Sequence, residues 1–253
     1  MKITLLQRSI EWLAADKNRA NAEEWIARCA DSQLVVLPEM FTTGFCTAPN
    51  GSAERGEPTL GWMQQMASRY QVHLAGSVAV DIDSKNYNRL YVVAPDGSYV
   101  HYDKRHLFTF AGEHHHYTAG QRRVIVTIHG VRILLLVCYD LRFAVWSRNR
   151  GDYDMILCVA NWPEARREPW DLLLRARAIE NLSYVCGVNI VGSDPSANYS
   201  GGTAAIDFMG KVICRVEDNI EGAATFWLDL DALNAFRTKF PALDDADNFE
   251  ILK

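Results

Sequence analysis

Val131-Arg132-Ile133-Leu134-Leu135-Leu136-Val137-Cys138-Tyr139-Asp140-Leu141-Arg142-Phe143 is an apolar run of strand length, interrupted only by Arg132, that meets polar residues abruptly at Cys138. A bounded run of this kind reads as a buried strand. Where such a strand ends, a side chain can leave the rigid sheet at a sharp turn. The next amide, here that of Tyr139, is then free to donate to a developing oxyanion. The segment reads in two ways: as the edge where a reactive thiol belongs, or as a strand that ends on an ordinary cysteine.

Similar runs recur on both sides of it: Ile3 to Leu6, Leu34 to Leu37, Val72 to Val80, Arg89 to Ala94, Val124 to Ile128, Met155 to Val159, Tyr184 to Val191 and Thr203 to Phe208. Helical patterns lie between several of them. Asp16 is placed to cap a helix through Ala22, Trp25 and Ile26; Pro58 opens one through Trp62, Met63 and Met66; Trp170 to Leu182 carries a third. Interleaved strands and helices predict the α/β class. Pro95-Asp96-Gly97 and Met209-Gly210-Lys211 read as hairpin turns, so the sheets are mixed rather than wholly parallel. No low-complexity segment, dividing linker or repeat period is visible. At 253 residues the chain suits one large domain, with an exposed acidic tail from Asp244 to Glu250.

Composition narrows the function classes. With 49% hydrophobic and 23% charged residues the profile is globular. A net charge of -5 argues against nucleic acid as a partner, because phosphate binders carry a basic stripe. The apolar runs fall well short of the roughly 20 residues that span a membrane. The stretch from Met1 acquires Arg8 and then Glu11 too early for a signal-peptide core, so the expectation is a cytosolic protein with no membrane partner. The six cysteines, Cys29, Cys46, Cys138, Cys158, Cys186 and Cys214, form no CxxC pair and read as free thiols, most of them small core hydrophobes.

A free thiol has a pKa of about 8.5, so at neutral pH a base or a cation must activate it. Leu34-Val35-Val36-Leu37-Pro38-Glu39-Met40 places a carboxylate at the end of another apolar strand, just after a proline that stops the ladder. Apolar surroundings there would raise its pKa toward that of a useful base. Lys104 follows an edge-like strand in Val100-His101-Tyr102-Asp103-Lys104-Arg105-His106-Leu107-Phe108, and Glu113 precedes the run His114-His115-His116. The three histidines suggest zinc, but they offer no assured helical i, i+4 pair, and no metal is expected. A papain-like thiol hydrolase would instead need His106 or His115 beside Cys138.

Leu37-Pro38-Glu39-Met40-Phe41, Asp103-Lys104-Arg105-His106-Leu107-Phe108 and Val137-Cys138-Tyr139-Asp140-Leu141-Arg142-Phe143, in that order, form a set that resembles the nitrilase superfamily of carbon-nitrogen hydrolases. The likeness continues through Ala160-Asn161-Trp162-Pro163, Arg177-Ala178-Ile179-Glu180-Asn181 and Ser200-Gly201-Gly202-Thr203, and so covers nearly the whole chain. Within the superfamily the wording is most similar to bacterial omega-amidases, at Asp103 to Phe108, Cys138 to Asn149 and Lys239-Phe240-Pro241-Ala242.

The resemblance implies a four-layer αββα sandwich with two mixed β-sheets, one carbon-nitrogen hydrolase domain over 1–253 with an exposed tail from about 240, and a homodimer or larger homo-oligomer. It implies Cys138 as nucleophile, Glu39 as base, Lys104 and the Tyr139 amide as oxyanion donors, and Glu113 as the second glutamate that holds the lysine. The implied reaction takes a small-molecule amide such as 2-oxoglutaramate and water to acid and ammonia through a thioester, with no cofactor. Another amidase, a carbamoylase or a nitrilase would share the same triad, and a noncatalytic binding subunit is a further alternative. Phe41, Tyr139 and Trp162 adjoin the motifs as pocket candidates. Arg142, Arg166 and Arg167 are candidate partners for a substrate carboxylate, although Arg142 also fits a structural turn and the other two a solvated loop. One departure stands out: the family's motif usually reads Arg-Phe-Pro, and here Ala144 follows Phe143.

Overall fold

A computed structural model describes residues 1–49 and 51–251. The first half runs β1 (Lys2–Gln7), α1 (Ala15–Arg28), β2 (Leu34–Val36), α2 (Pro58–Tyr70), β3 (His73–Ile82), β4 (Lys85–Val93) and β5 (Tyr99–Asp103). The second runs β6 (Ile125–Ile128), β7 (Val131–Val137), α3 (Ala144–Ser147), β8 (Met155–Val159), α4 (Arg167–Asn181), β9 (Tyr184–Val188), β10 (Val191–Ser193), β11 (Asn198–Ser200), β12 (Ala204–Ile206) and β13 (Val212–Arg215). β14 (Gly222–Trp227) and α5 (Leu230–Lys239) complete it.

Two six-stranded sheets result, ordered β14-β1-β2-β3-β4-β5 and β6-β7-β8-β9-β12-β13. Followed in those directions, both pair antiparallel once, parallel twice and antiparallel twice. The chain thus repeats a topology without repeating a sequence, because only the burial pattern has to recur. β10 and β11 form a separate small ribbon.

The period-2 alternation of strands sorts the core. In the short β2, Leu34 and Val36 face the second sheet, while Val35 and the following Leu37 join Ala22, Ile26, Met63 and Met66 of α1 and α2. All of these are buried, and burying such a side chain contributes about 1.5–3 kcal/mol. That burial, rather than three rungs of ladder, holds β2 in place. On the far side, Trp170, Leu174 and Ala178 of α4 cover the second sheet. At Gly187 of β9 an added Cβ would stand 2.7 Å from both Trp170 and Leu174, so glycine is what lets α4 lie this close. The expected four-layer αββα sandwich with two mixed sheets is the observed one.

The two expected hairpins form: Gly97, at φ +83°, donates to Ala94, and Asp207 donates to Lys211 across the β12–β13 turn. Two more hairpins turn on Asp83-Ser84 and His129-Gly130, all four residues at positive φ as a type I′ turn requires. Asp16 is not a cap. Ala14 precedes α1 without a side-chain bond, and Asp16 pairs with Arg19 inside the first turn. Pro58 does open α2, and the third predicted helix begins earlier, at Arg167. Beyond Lys239 the chain is mostly exposed, with the Phe249 ring 4.6 Å from the Arg150 guanidinium. Among the described residues no helix is long and apolar enough to cross a membrane.

Candidate active site

Four segments that end strands deliver polar side chains to one place. Lys104 directly follows β5, Cys138 directly follows β7, Asn161 comes two residues after β8 and Glu39 three after β2. The carboxyl ends of parallel strands are where open α/β sheets present their chemistry. After β2 the chain is held by Ser77, whose hydroxyl accepts from the Met40 amide at 2.9 Å, and Met40 turns through φ +42°.

Every group that reaches the buried Glu39 carboxylate is a donor. Oε1 accepts from Asn88 Nδ2 at 2.7 Å and from Lys104 Nζ at 3.0 Å; Oε2 accepts from the Asn161 amide at 2.7 Å. The Asn161 side chain donates to the Glu39 carbonyl at 2.6 Å, which locks one segment to the other. Asn88 is itself oriented by the Ser77 hydroxyl at 2.8 Å.

Lys104 is fully enclosed. Besides Glu39, its ammonium meets both oxygens of Glu113, at 3.1 and 3.0 Å, and lies 4.9 Å from the Phe45 ring. Burial alone pulls the lysine pKa down, but Glu113 and Glu39 outweigh it and hold the ammonium well above the ordinary range. Glu113 is pushed up by burial, against the opposing charge of Lys104. Its Oε2 also accepts from the Phe108 amide at 2.6 Å, so the glutamate pins the loop after β5.

Cys138 sits at φ +47°, a left-handed conformation that a β-carbon makes costly, at the first residue of a 3₁₀ turn (Cys138–Arg142). Its Sγ lies 3.9 Å from the Asn161 carbonyl. Burial, and then the charge of Glu39, push the thiol well above its usual pKa, while Lys104 acts in the opposite sense. Burial and the charge of Glu39 both favour the protonated thiol over the thiolate. No histidine holds that sulfur among the described residues: His106 is bonded to Asp140 at 2.8 Å and stacked on Phe143, and His115 is exposed. Nor do three His, Cys, Asp or Glu side chains converge among them as metal ligands.

Cys138 and Asn161 line a cavity of about 830 Å³, together with Phe45, Phe108, Tyr139, Trp162 and Tyr199. Asn161 keeps its buried Oδ1 without a hydrogen-bond donor among the described residues. Tyr139 and Trp162 are where the sequence puts them, but Phe41 is not in this wall. The turn at Met40 sends Phe41 into the opposite layer, 5.9 Å from the Trp62 ring of α2. Arg142 belongs to the turn after Cys138 and also lines the cavity, 4.9 Å above the Trp162 ring. Arg166 lines it too, 5.3 Å from the rings of Phe108 and Phe110. Neither guanidinium has a carboxylate at ion-pair distance among the described residues, whereas Arg167 turns away to Asp171 and Asp218.

The sequence reading missed Asn88 and Asp140 as parts of the site and quoted Asn161 only within a motif. An amide in mid-strand, such as Asn88 between Tyr87 and Arg89, carries no signal until its partner across the sheet is known.

The carbon-nitrogen hydrolase family model matches residues 2–238. Omega-amidase YafV of Yersinia enterocolitica is 44% identical over 100% of this chain and 99% of its own. The 2-oxoglutaramate amidase of Bacillus subtilis (strain 168) is 33% identical over 96% of each. Among solved structures, XC1258 from Xanthomonas campestris, described as a CN-hydrolase superfamily protein with an arsenic adduct in the active site, superposes with a TM-score of 0.96 at 42% identity, covering 99% of this chain and 98% of that one.

Proposed function

The chain belongs to the carbon-nitrogen hydrolase family, whose members act on carbon–nitrogen bonds other than peptide bonds, and from that premise we propose that it is an omega-amidase cleaving the terminal amide of a small 2-oxo dicarboxylate monoamide such as 2-oxoglutaramate. One observation carries the reading. Cys138 and Asn161 line a cavity that also presents two arginines without carboxylate partners among the described residues, and behind that wall the buried Glu39, paired with Lys104, accepts from the Asn161 amide. An amide supplies the carbonyl that a thiol attacks, and a carboxylate on the same molecule answers the arginines.

In the first step Glu39 takes the Cys138 proton as sulfur bonds to the amide carbon. General-base help of this kind is worth about 10²–10⁴ in rate. The tetrahedral oxyanion is met by Lys104 and the Tyr139 amide, each donor contributing about 10²–10³. Glu39 passes its proton to nitrogen, the C–N bond breaks and ammonia leaves. Water then attacks the thioester with Glu39 again as base, and the C–S bond breaks to return the thiol and release the acid. The Oδ1 of Asn161, without a donor among the described residues, is suited to accept an N–H of the substrate amide.

Ammonia release from 2-oxoglutaramate, succinamate, simple nitriles and N-carbamoyl amino acids tests the substrate class. The expected order puts 2-oxoglutaramate at least about tenfold ahead in kcat/KM; a preferred nitrile or carbamoyl substrate overturns it. Self-association through the helical layer belongs to the same proposal, supported by the exposed Leu172 and Ile179 of α4. Light scattering on the purified chain reads it.

A further inference from the structure

Asp140 is a buried carboxylate to which the chemistry above gives no task. It accepts four hydrogen bonds. Oδ1 takes the His106 amide at 2.9 Å and His106 Nδ1 at 2.8 Å; Oδ2 takes the Tyr102 hydroxyl at 2.8 Å and the Val137 amide at 3.0 Å. Tyr102 and His106 stand two residues on either side of Lys104, and Val137 immediately precedes Cys138. One side chain therefore ties the segment that carries the lysine to the turn that carries the cysteine.

We propose that Asp140 is a positioning residue that fixes the Lys104 ammonium relative to the Cys138 thiol, with Tyr102 and His106 as its two grips on the lysine segment. The left-handed Cys138 needs such a hold, because a strained backbone conformation persists only where the surroundings over-determine it. Bonds to an ionised acceptor are the stronger kind, and enclosure keeps water from competing for them. Each grip is itself braced. The Tyr102 oxygen accepts from Trp146 Nε1 at 3.1 Å and from the Arg105 amide at 3.2 Å, which leaves its one hydrogen for Asp140. Burial, and then the charge of Asp140, raise the Tyr102 pKa well above the usual tyrosine range, so it stays a donor. The His106 ring is stacked on Phe143 with 3.7 Å between centroids, and Asp140 as acceptor assigns the proton to Nδ1.

The proposal rests on Cys138 as nucleophile and Lys104 as its oxyanion partner, and it makes a demand that a purely stabilising carboxylate would not. Damage to the staple should appear in kcat and leave KM nearly alone, because the cavity wall is intact while the reacting groups are misplaced. A misplacement of the order of 1 Å costs about 10²-fold.

The test measures ammonia release by the full chain. Asp140→Asn should lower kcat about 10²-fold with KM changed less than about threefold. Tyr102→Phe, which keeps the ring, and His106→Leu should each lower kcat about tenfold, the loss of one charge-assisted bond. His106→Asn, whose Nδ2 can reach the same oxygen, should recover to within about threefold of the parent. Unchanged kcat in Asp140→Asn and Tyr102→Phe, losses confined to KM, or a His106→Asn variant no better than His106→Leu would each overturn the staple. If Asp140→Asn does not fold, Tyr102→Phe and the two His106 variants decide. Cys138→Ala separates the layers: it should be inactive, and an active Cys138→Ala overturns the nucleophile reading on which the staple stands.

Discussion

Both oxygens of Glu113 lie 3.0–3.1 Å from the Lys104 ammonium, whereas Glu39 offers that ammonium a single oxygen at 3.0 Å. Glu113 is thus the main counter-charge of the buried lysine, and Glu39 keeps its other oxygen for the Asn161 amide. Glu113→Gln removes the charge and sets an NH₂ against either Lys104 or the Phe108 amide. Breaking a buried pair costs about 3–5 kcal/mol, and the surviving amide acceptor puts this variant near the lower end. Urea unfolding should report that loss, and kcat should fall about 10²-fold as the oxyanion donor loses its anchor.

Glu39→Gln should be more damaging to chemistry than to folding. The carboxylate is surrounded by donors alone, from Asn88, Lys104 and Asn161, so an amide both fails as a base and turns two hydrogens on one of them. Ammonia release should fall by about 10²–10⁴. Retention of more than a tenth of the activity would remove Glu39 from the role of base.

The resting thiol has a stability signature. Cys138, Cys158 and Cys186 are buried, and burial is the largest cause that pushes each pKa well above the ordinary range. An unfolded thiol ionises near about 8.5 while the folded one keeps its proton, so above that pH the native state holds more protons than the unfolded state. Stability is fully present below that pH and is lost as pH rises. Each such thiol contributes up to about 1.4 kcal/mol per pH unit to the slope. Urea midpoints taken from pH 8 to 10 should fall steeply, and Cys138→Ala should flatten the decline by about one thiol's share. An unchanged slope would mean that Cys138 is ionised in the folded protein.

How much of this was legible follows from where each residue lies. Glu39 and Cys138 stand where apolar runs give way to polar ones, Lys104 follows an edge-like strand and Glu113 precedes three histidines; the structure gathers both glutamates around the Lys104 ammonium and sets Cys138 at the elbow. Phe41 misled because sequence order suggested that two residues past Glu39 is still the pocket, while the left-handed Met40 reverses the direction. Asp140 was visible only as a letter in a motif, since three of its four hydrogen bonds come from Tyr102 and His106 on another stretch of chain. β13 was implied only by the hairpin turn before it, and β14 escaped notice, because edge strands are half solvated: Val212 and Ile213 are exposed, and Ala223, Thr225 and Trp227 alternate outward. α5 did carry a signal, an aspartate at its start, and Asp229 accepts from the Ala232 amide at 2.9 Å.

Carboxylate recognition should divide between the two cavity arginines unequally. Arg166 is half-buried between Phe108 and Phe110, whereas Arg142 is exposed above Trp162. A charge-assisted hydrogen bond is worth about 1.5–3 kcal/mol when water is excluded, and much less at an exposed site. Arg166→Ala should therefore raise KM for 2-oxoglutaramate about 10- to 100-fold and Arg142→Ala by less than about tenfold. Hydrolysis of an uncharged amide such as butyramide, measured alongside, should be unaffected by either change. An equal loss on both substrates would make these residues part of the wall rather than the reader of charge.

Ala144 stands where the resemblance leads one to expect proline, and the structure shows why alanine is tolerated. It is the exposed first residue of α3, a position whose amide has no partner within the helix and where a proline φ fits. Phe143 before it is at φ -102°, ψ 87°, outside the helical region that a following proline disfavours. The elbow does not depend on residue 144, because Asp140 holds Val137 and Phe143 is stacked on His106 and meets Tyr139 edge to face. Ala144→Pro should then act mainly on the unfolded chain, stabilising by about 0.4–1 kcal/mol. In a chain of this length that raises Tm by about 1–4 °C, with kcat within about twofold of the parent. A fall in Tm, or a tenfold change in kcat, would show instead that the turn behind the nucleophile has relaxed around alanine into a shape that proline can no longer enter.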